Sequence, residues 1–361
     1  MAGRTDEIER AAREQAAHAA QQQEALAHLL AAQIDPTLAR EGWHLIELAA
    51  RILIVAHEHP DPDALGSALG LAQALAPLGK DRTVACADPV PTGYSFLPGR
   101  EAVVTELPTT DYDLVIALDA GELSRYGRLY FEHQAFFDAA TILNIDHHVT
   151  SHGCGLVNII DPASAATAEL LTLFLLNRGA SIPPDAAKNL LAGIITDTRA
   201  FEFDATTART LAAGAYLVGL GAVPEAIIKP MYRMKPLAKA RLWARVLDRT
   251  LREAAGGRIV WATIRPDDLA GLGATPDMDD GLSTYLLDMD GVAFAAVLKE
   301  QSSGETKASI RSTAPYDAAW VARHFGGGGH VRAAGCTLRM DAETAAAALV
   351  PVMERALAEQ A

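Results

Sequence analysis

The stretch "VAHEHPDPDALGSALGLAQAL", residues 55–75, ends an apolar run and starts a helical one, with His57, Asp61 and Asp63 crowded into the turn between them. Just upstream, "RILIVA" (51–56) is apolar and rich in branched side chains, the composition of a buried strand. Downstream, "GSALGLAQAL" reads as a helix whose small residues let its positive N-terminus approach an anionic ligand. Strand, loop and helix in that order are the unit from which parallel sheets are built. Apolar runs recur outward from it: "RTVACA" (82–87), "DLVIALD" (113–119), "ATILNID" (140–146) and "LLAGIITD" (190–197), with helical stretches between. The alternation predicts an α/β fold in which a parallel sheet carries helices on both faces.

Other segments lie on either side. The opening "DEIERAAREQAAHAAQQQEALAHLLAAQ" (6–33) holds strong helix formers without Gly or Pro, which predicts a long helix ending near Asp35-Pro36. Its apolar face is mostly alanine, so it reads as a solvated or self-associating extension. Residues 205–245 read as helices joining two domains. Beyond them "GRIVWATI" (257–264), "VAFAAVLKEQ" (292–301) and "TKASIRST" (306–313) are strand-like, interleaved with helical "MDDGLSTYLLDM" and "DAAWVARHF". The expected division is an N-terminal helical extension (1–48), a parallel-sheet domain (49–215), a helical linker (216–248) and a smaller α/β domain (249–361).

Composition narrows the function. The 361-residue chain has a formal net charge of −14, which disfavours a basic track along duplex nucleic acid. The three cysteines, Cys86, Cys154 and Cys336, are odd in number and far apart, so neither a disulfide framework nor a cysteine zinc site is supported. No apolar run approaches the ~20 residues needed to span a bilayer, and a signal-peptide core is lacking. A cytoplasmic, membrane-free protein is expected.

The placement of ionisable residues is more informative. Each predicted strand of the first domain ends in an acid or a histidine: His57, Asp119, Asp146 and Asp197. In open parallel sheets the crevice beyond the carboxyl ends of the strands is where ligands bind, so these groups converge although distant in sequence. Asp61, Asp63, Asp119 and Asp197 with His57, His147 and His148 would repel one another there unless protonated or bound to cations. Oxygen and imidazole donors without cysteine favour manganese, magnesium, iron or zinc, the harder ions first. So many ligands suit two ions ~3.5–4 Å apart sharing a carboxylate, with His57 and Asp61 on one and Asp63 turned to the other.

These residues resemble the DHH phosphoesterases that carry a DHH-associated C-terminal domain. The motifs are "HEHPDPDALGS" (57–67), "LDAGELSRYG" (118–127), "NIDHHVT" (144–150), "GIITDT" (193–198), "KASIRS" (307–312) and "GGGGHVRAAG" (326–335). Length and the last two motifs are most similar to the branch that degrades very short RNAs and dephosphorylates 3′-phosphoadenosine 5′-phosphate (pAp). The resemblance implies that His57, Asp61 and Asp119 hold one metal, usually manganese, while Asp63, Asp119, His147 and Asp197 hold the other. It further implies that His148 faces the substrate phosphate and Asp146 orients the ligands from behind. One departure is in "TDTRAFEFDATT" (196–207), where Arg199 and Ala205 replace the Gly and Asn common among relatives, which puts the substrate rim in question.

The second domain then supplies candidate substrate contacts. Strand alternation puts Ser309 and Arg311 on one face and Ile310 in the core, and Arg311 can fork onto a phosphate. Gly328, Gly329 and His330 in "FGGGGH" offer backbone N–H groups and an imidazole to an anion, and Arg125 is a further rim candidate. Expected partners are short RNA, dinucleotides or a nucleoside bisphosphate as substrate, with a second copy of the chain also allowed. The competing readings are a cyclic-dinucleotide or pApA phosphodiesterase, a RecJ-type exonuclease and a nucleotide sensor without turnover. The acidic chain argues against the exonuclease, and the complete ligand set against the sensor.

Overall fold

The computed structural model describes residues 2–233 and 235–360, without the side chains of residues 2–16, Asp277 and His330. Two compact units divide between Met234 and Lys235. The first contains α1 (Ala2–Ala31), α2 (Pro36–Leu48), β1 (Arg51–Ala56), α3 (Pro62–Ala74), β2 (Asp81–Cys86), β3 (Leu114–Leu118), α4 (Arg128–Glu132) and α5 (Gln134–Ala139). It continues through β4 (Ile142–Asp146), β5 (Val157–Ile160), α6 (Thr167–Arg178), α7 (Pro184–Asp197), α8 (Ala208–Gly219) and α9 (Glu225–Ile228). The second has α10 (Leu237–Thr250), β6 (Arg252–Ala254), β7 (Ile259–Ile264), α11 (Leu282–Leu287), β8 (Phe294–Glu300) and β9 (Thr306–Ser312). It closes with α12 (Ala318–Arg323), β10 (Gly328–His330), β11 (Ala333–Leu338) and α13 (Ala342–Glu359).

The first sheet is parallel throughout, in the order β2-β1-β3-β4-β5. Along β1, Ile52, Ile54 and Ala56 enter one core with α3, α6 and α7, while Leu53 and Val55 enter another with Tyr126, Leu129 and Phe137. Burial on both faces explains why the strands read as unbroken apolar runs instead of alternating ones. The second sheet is mixed, in the order β10-β11-β9-β8-β7-β6, with only β7 and β8 parallel. It too is covered on both faces, by α12 and α13 on one side and by α10 and α11 on the other.

Three expectations need correction. "LLAGIITD" is not a strand but the last part of α7. A helix buried on nearly all sides has the same apolar run as a buried parallel strand, and only its length and the Pro183-Pro184 start separate the two. The N-terminal region is not a detached extension: Leu30, Trp43 and Ile46 are buried in the first core, and Trp43 stacks on Phe174 with ring centroids 5.1 Å apart. Nor do residues 216–248 form a linker of their own, because Leu217 and Ile227 join the core of the first unit and Leu242 and Val246 that of the second. No helix among the described residues is long and apolar enough to cross a membrane.

Candidate metal centre

With β1 between β2 and β3, the crossover from β1 runs to β2 on one side and that from β3 to β4 on the other, so the crevice at the carboxyl ends of β1 and β3 is the switch point where such sheets bind ligands. His57 follows β1, Asp119 follows β3, and Asp146, His147 and His148 end or follow β4. Asp61 caps α3, its Oδ1 accepting from the N–H of Asp63 (3.0 Å) and Ala64 (2.9 Å). Asp63, in the first turn of α3, is wholly buried. Asp197 arrives from the last residue of α7. That helix passes tightly over Asp63, since a Cβ on Gly193 would lie 2.3 Å from Asp63 Oδ1.

Asp119 stands at the middle. Its Oδ2 is 3.4 Å from His57 Nε2, and its Oδ1 is 3.6 Å from His147 Nε2. The two oxygens of one carboxylate thus belong to two groups of donors. His57 Nε2 also lies 3.9 Å from Asp61 Oδ2, while His147 Nε2 lies 3.3 Å from Asp197 Oδ2 and 3.9 Å from Asp63 Oδ2. Asp119 takes a left-handed backbone, φ 60°, which is costly for a residue other than glycine and places strain at the shared position.

These donors fit divalent metal ions. His57 Nδ1 lies 2.7 Å from the Glu58 carbonyl and His147 Nδ1 3.2 Å from the Ser164 carbonyl. A carbonyl only accepts, so Nδ1 carries the proton and each neutral ring keeps its Nε2 lone pair for the carboxylate side. Two triads, His57–Asp61–Asp119 and Asp63–His147–Asp197, bring their donor atoms within 4.8 Å of one another. Asp119 with His147 and His148 makes a third such grouping.

The electrostatics show the same need for cations. Burial and the charges of Asp119 and Asp197 push Asp63 well above the usual carboxylate range, and burial lifts Asp197 to about 6. Although burial opposes charge on His57, its hydrogen bond to Asp119 and the charges of Asp119 and Asp61 raise it to about 9. In the same way His147 rises to about 10 through Asp197, Asp63 and Asp119. Burial would raise Asp119, but the imidazoles of His57, His147 and His148 hold it down to about 2. Without metal, protons on the imidazoles supply the positive charge. At neutral pH, metal uptake must therefore displace protons, and affinity should rise with pH until both rings are neutral. Calorimetric titration in two buffers of different ionisation enthalpy should show net proton release; equal heats in both buffers would contradict this.

Asp146 and His148 are joined. Asp146 Oδ1 accepts from His148 Nδ1 at 2.8 Å and from the N–H of His147 (2.8 Å) and His148 (3.2 Å). The carboxylate thereby fixes both the backbone and one ring, and the bond to Asp146 raises His148 above its ordinary value. Arg125 is exposed on a short turn beside the centre, its carbonyl accepting from Glu58 N at 2.8 Å. Arg199 adopts φ 49°, a left-handed conformation that glycine would take without strain.

The remaining candidates lie in the second unit. Ser309 is exposed and Arg311 half-buried on one face of β9, with Ile310 in the core. Ser309, Gly335 and Gly328 form one row across the sheet, and Arg311, Ala333 and His330 another. Ser309, Gly327 and Gly335 line a groove of about 460 Å³. The last two glycines of the run open a strand, β10, and part of the run answers to packing: a Cβ on Gly329 would lie 2.6 Å from the Ala333 carbonyl. Gly328 has open space beside it. The side chain of His330 lies outside the described residues.

Sequence reasoning missed Ser164, Thr167, Ala168, Glu169 and Arg209. Thr167 Oγ1 donates to Asp119 Oδ1 at 2.8 Å, and the N–H groups of Thr167 and Ala168 donate to Asp63 at 2.7 and 3.0 Å. A threonine opening an apolar helix is an ordinary helix start, so nothing local marked it.

A parallel sheet with a carboxylate and imidazole centre at its switch point, followed by a smaller mixed-sheet unit, defines a class of metal-dependent hydrolase, and sequence comparison identifies the family. Residues 51–194 match the DHH family, N-terminal domain, and residues 256–359 match the DHHA1 domain. The chain belongs to the DHH phosphoesterase family, whose members use divalent metals. It is 36% identical to the bifunctional oligoribonuclease and PAP phosphatase NrnA of Thermus thermophilus, over 82% of this chain and 89% of that one. It is 26% identical to the Bacillus subtilis protein of the same name, over 81% and 91% of the two chains. The cyclic-di-AMP phosphodiesterase GdpP of Geobacillus thermodenitrificans is 24% identical over 81% of this chain, which spans 45% of that longer protein. A crystal structure of an exopolyphosphatase-related protein from Bacteroides fragilis has the same fold, with a TM-score of 0.80 at 23% identity, covering 91% of this chain and 97% of that one.

Proposed function

We propose that the chain is a two-metal phosphohydrolase, with manganese as its preferred ion, that releases nucleotides from short oligoribonucleotides and dephosphorylates pAp. The observation that carries this reading is Asp119, whose two oxygens face two separate donor groups and so suit a bridge between two ions. The names of the relatives supply the substrate class. When bound, paired divalent ions polarise phosphoryl oxygens and bring the pKa of a water towards neutrality.

The chain's own residues do the rest. Asp146 holds His148 Nδ1–H, leaving Nε2 as the ring position for a phosphoryl oxygen. A raised pKa keeps that ring cationic for longer, which suits an anionic substrate. His57 and His147 keep their Nε2 atoms towards the carboxylates through their carbonyl contacts. In the second unit, Ser309 and Arg311, with the N–H groups of Gly328 and Gly329 and with His330, bind the remainder of the nucleotide and select length and polarity.

Product analysis by chromatography tests the reading, using labelled RNAs from the dinucleotide upward, pAp, cyclic di-AMP and single-stranded DNA with manganese. Preferential turnover of the shortest RNAs and pAp is expected; preference for cyclic di-AMP or long DNA would overturn it. The substrate-selecting role of Arg311 is checked separately. A charge-assisted contact is worth about 1.5–3 kcal/mol, so Arg311→Ala should lower kcat/KM on dinucleotides and pAp roughly 10- to 150-fold. Metal content and hydrolysis of a small artificial phosphodiester should stay near normal. Equal loss on natural and artificial substrates would place Arg311 in the catalytic scaffold instead.

A further inference from the structure

Residues 161–169, "DPASAATAE", run from the end of β5 into α6 and supply none of the candidate metal ligands, yet touch three of them. The Ser164 carbonyl accepts from His147 Nδ1 at 3.2 Å. Both oxygens of Asp63 accept from the first N–H groups of α6, Oδ2 from Thr167 at 2.7 Å and Oδ1 from Ala168 at 3.0 Å. The Thr167 hydroxyl holds Asp119 Oδ1 at 2.8 Å. One short segment thus sets the ring orientation of a histidine and the rotation of two carboxylates that come from three other parts of the chain.

The segment is itself locked from α8. Arg209 Nε donates to Glu169 Oε1 at 2.6 Å, and its Nη2 lies 2.8 Å from Asp161 Oδ2 and 2.9 Å from Ser164 Oγ. The other oxygen of the fully buried Glu169 accepts from Ala165 N at 3.0 Å and from Thr210 Oγ1 at 2.8 Å. A largely buried ion pair of this kind adds little stability over an apolar pair of the same volume. What a planar guanidinium forked over Glu169, Asp161 and Ser164 does supply is fixed geometry at both ends of the 161–169 segment.

Building on the metal centre proposed above, we infer that residues 161–169, clasped by Arg209, position the Asp63–Asp119–His147 side of that centre. Thr167 is a positioning residue acting through Asp119 and Asp63, and Arg209 acts through Glu169, Asp161 and Ser164. Partners of this kind typically change metal affinity 10–100-fold when removed.

The test is calorimetric titration of manganese into the full-length protein after chelator dialysis. Thr167→Val keeps the shape and the backbone N–H and removes only the hydroxyl. It should weaken one of two manganese-binding events roughly 10- to 100-fold, and Thr167→Ser should restore it. Melting of the metal-free protein serves as the control. A purely structural hydroxyl would lower that melting temperature and leave manganese affinity unchanged, which would overturn the inference. Arg209→Lys keeps the charge and loses the fork, and should weaken the same event; unchanged affinity in the folded variant would remove Arg209 from the device. Should Arg209→Lys fail to fold, Thr167→Val decides alone. If the unsubstituted protein takes up no manganese, the reading of the centre fails and this inference falls with it; normal uptake with an unaffected Thr167→Val defeats only the inference.

Discussion

Exhaustive chelation should abolish hydrolysis, and manganese should restore it best among divalent ions. The reason is the density of like charge at the crevice. Asp61, Asp63, Asp119 and Asp197 meet there with two imidazoles, Asp63 and Asp119 are buried, and the metal-free site holds together by keeping protons on His57 and His147 up to about 9 and 10. In that protonated state the Nε2 lone pairs that would serve metal are occupied. Rates of release from a labelled dinucleotide, measured alongside elemental analysis, check this. Full turnover by protein shown to be metal-free would defeat the two-metal reading.

Asp119→Ala should be the most damaging single substitution. Its two oxygens approach the two donor groups separately, at 3.4 Å to His57 and 3.6 Å to His147. Losing it leaves His57 with Asp61 alone in its triad and removes the acceptor of the Thr167 hydroxyl. Loss of one preorganised electrostatic element commonly costs ~10²–10³-fold in kcat, and a shared ligand should cost at least that. Asp61→Ala, affecting one donor group, should lose less. Near-normal kcat in Asp119→Ala, measured with saturating manganese, would show that the centre is assigned wrongly.

How far the sequence could be read depended on how local each signal was. His57, Asp61 and Asp63 share one turn, and Asp146, His147 and His148 adjoin one strand, so chain connectivity alone brought each set together. Asp197 was expected at the end of a strand and instead ends a helix, because the C-terminus of a buried helix and the end of a buried strand both deliver an acid after an apolar run. The alternation in "KASIRS" survived intact, since β9 alternates buried with more exposed residues as its pattern required. Thr167 and Arg209 were invisible for the opposite reason. Thr167 meets Asp63 across 104 positions of sequence and Arg209 meets Glu169 across 40, and neither residue type is unusual at a helix start. The linker was misjudged because helices α8 to α10 read alike in sequence, and only their burial partners divide them between two cores.

The central claim is that Asp119 bridges two divalent ions, and anomalous diffraction from manganese-soaked crystals tests it most directly. The account predicts two anomalous peaks ~3.5–4 Å apart, one beside His57 and Asp61, the other beside Asp63, His147 and Asp197, with Asp119 between them. A single peak at full occupancy, or two peaks of which Asp119 contacts only one, would contradict it.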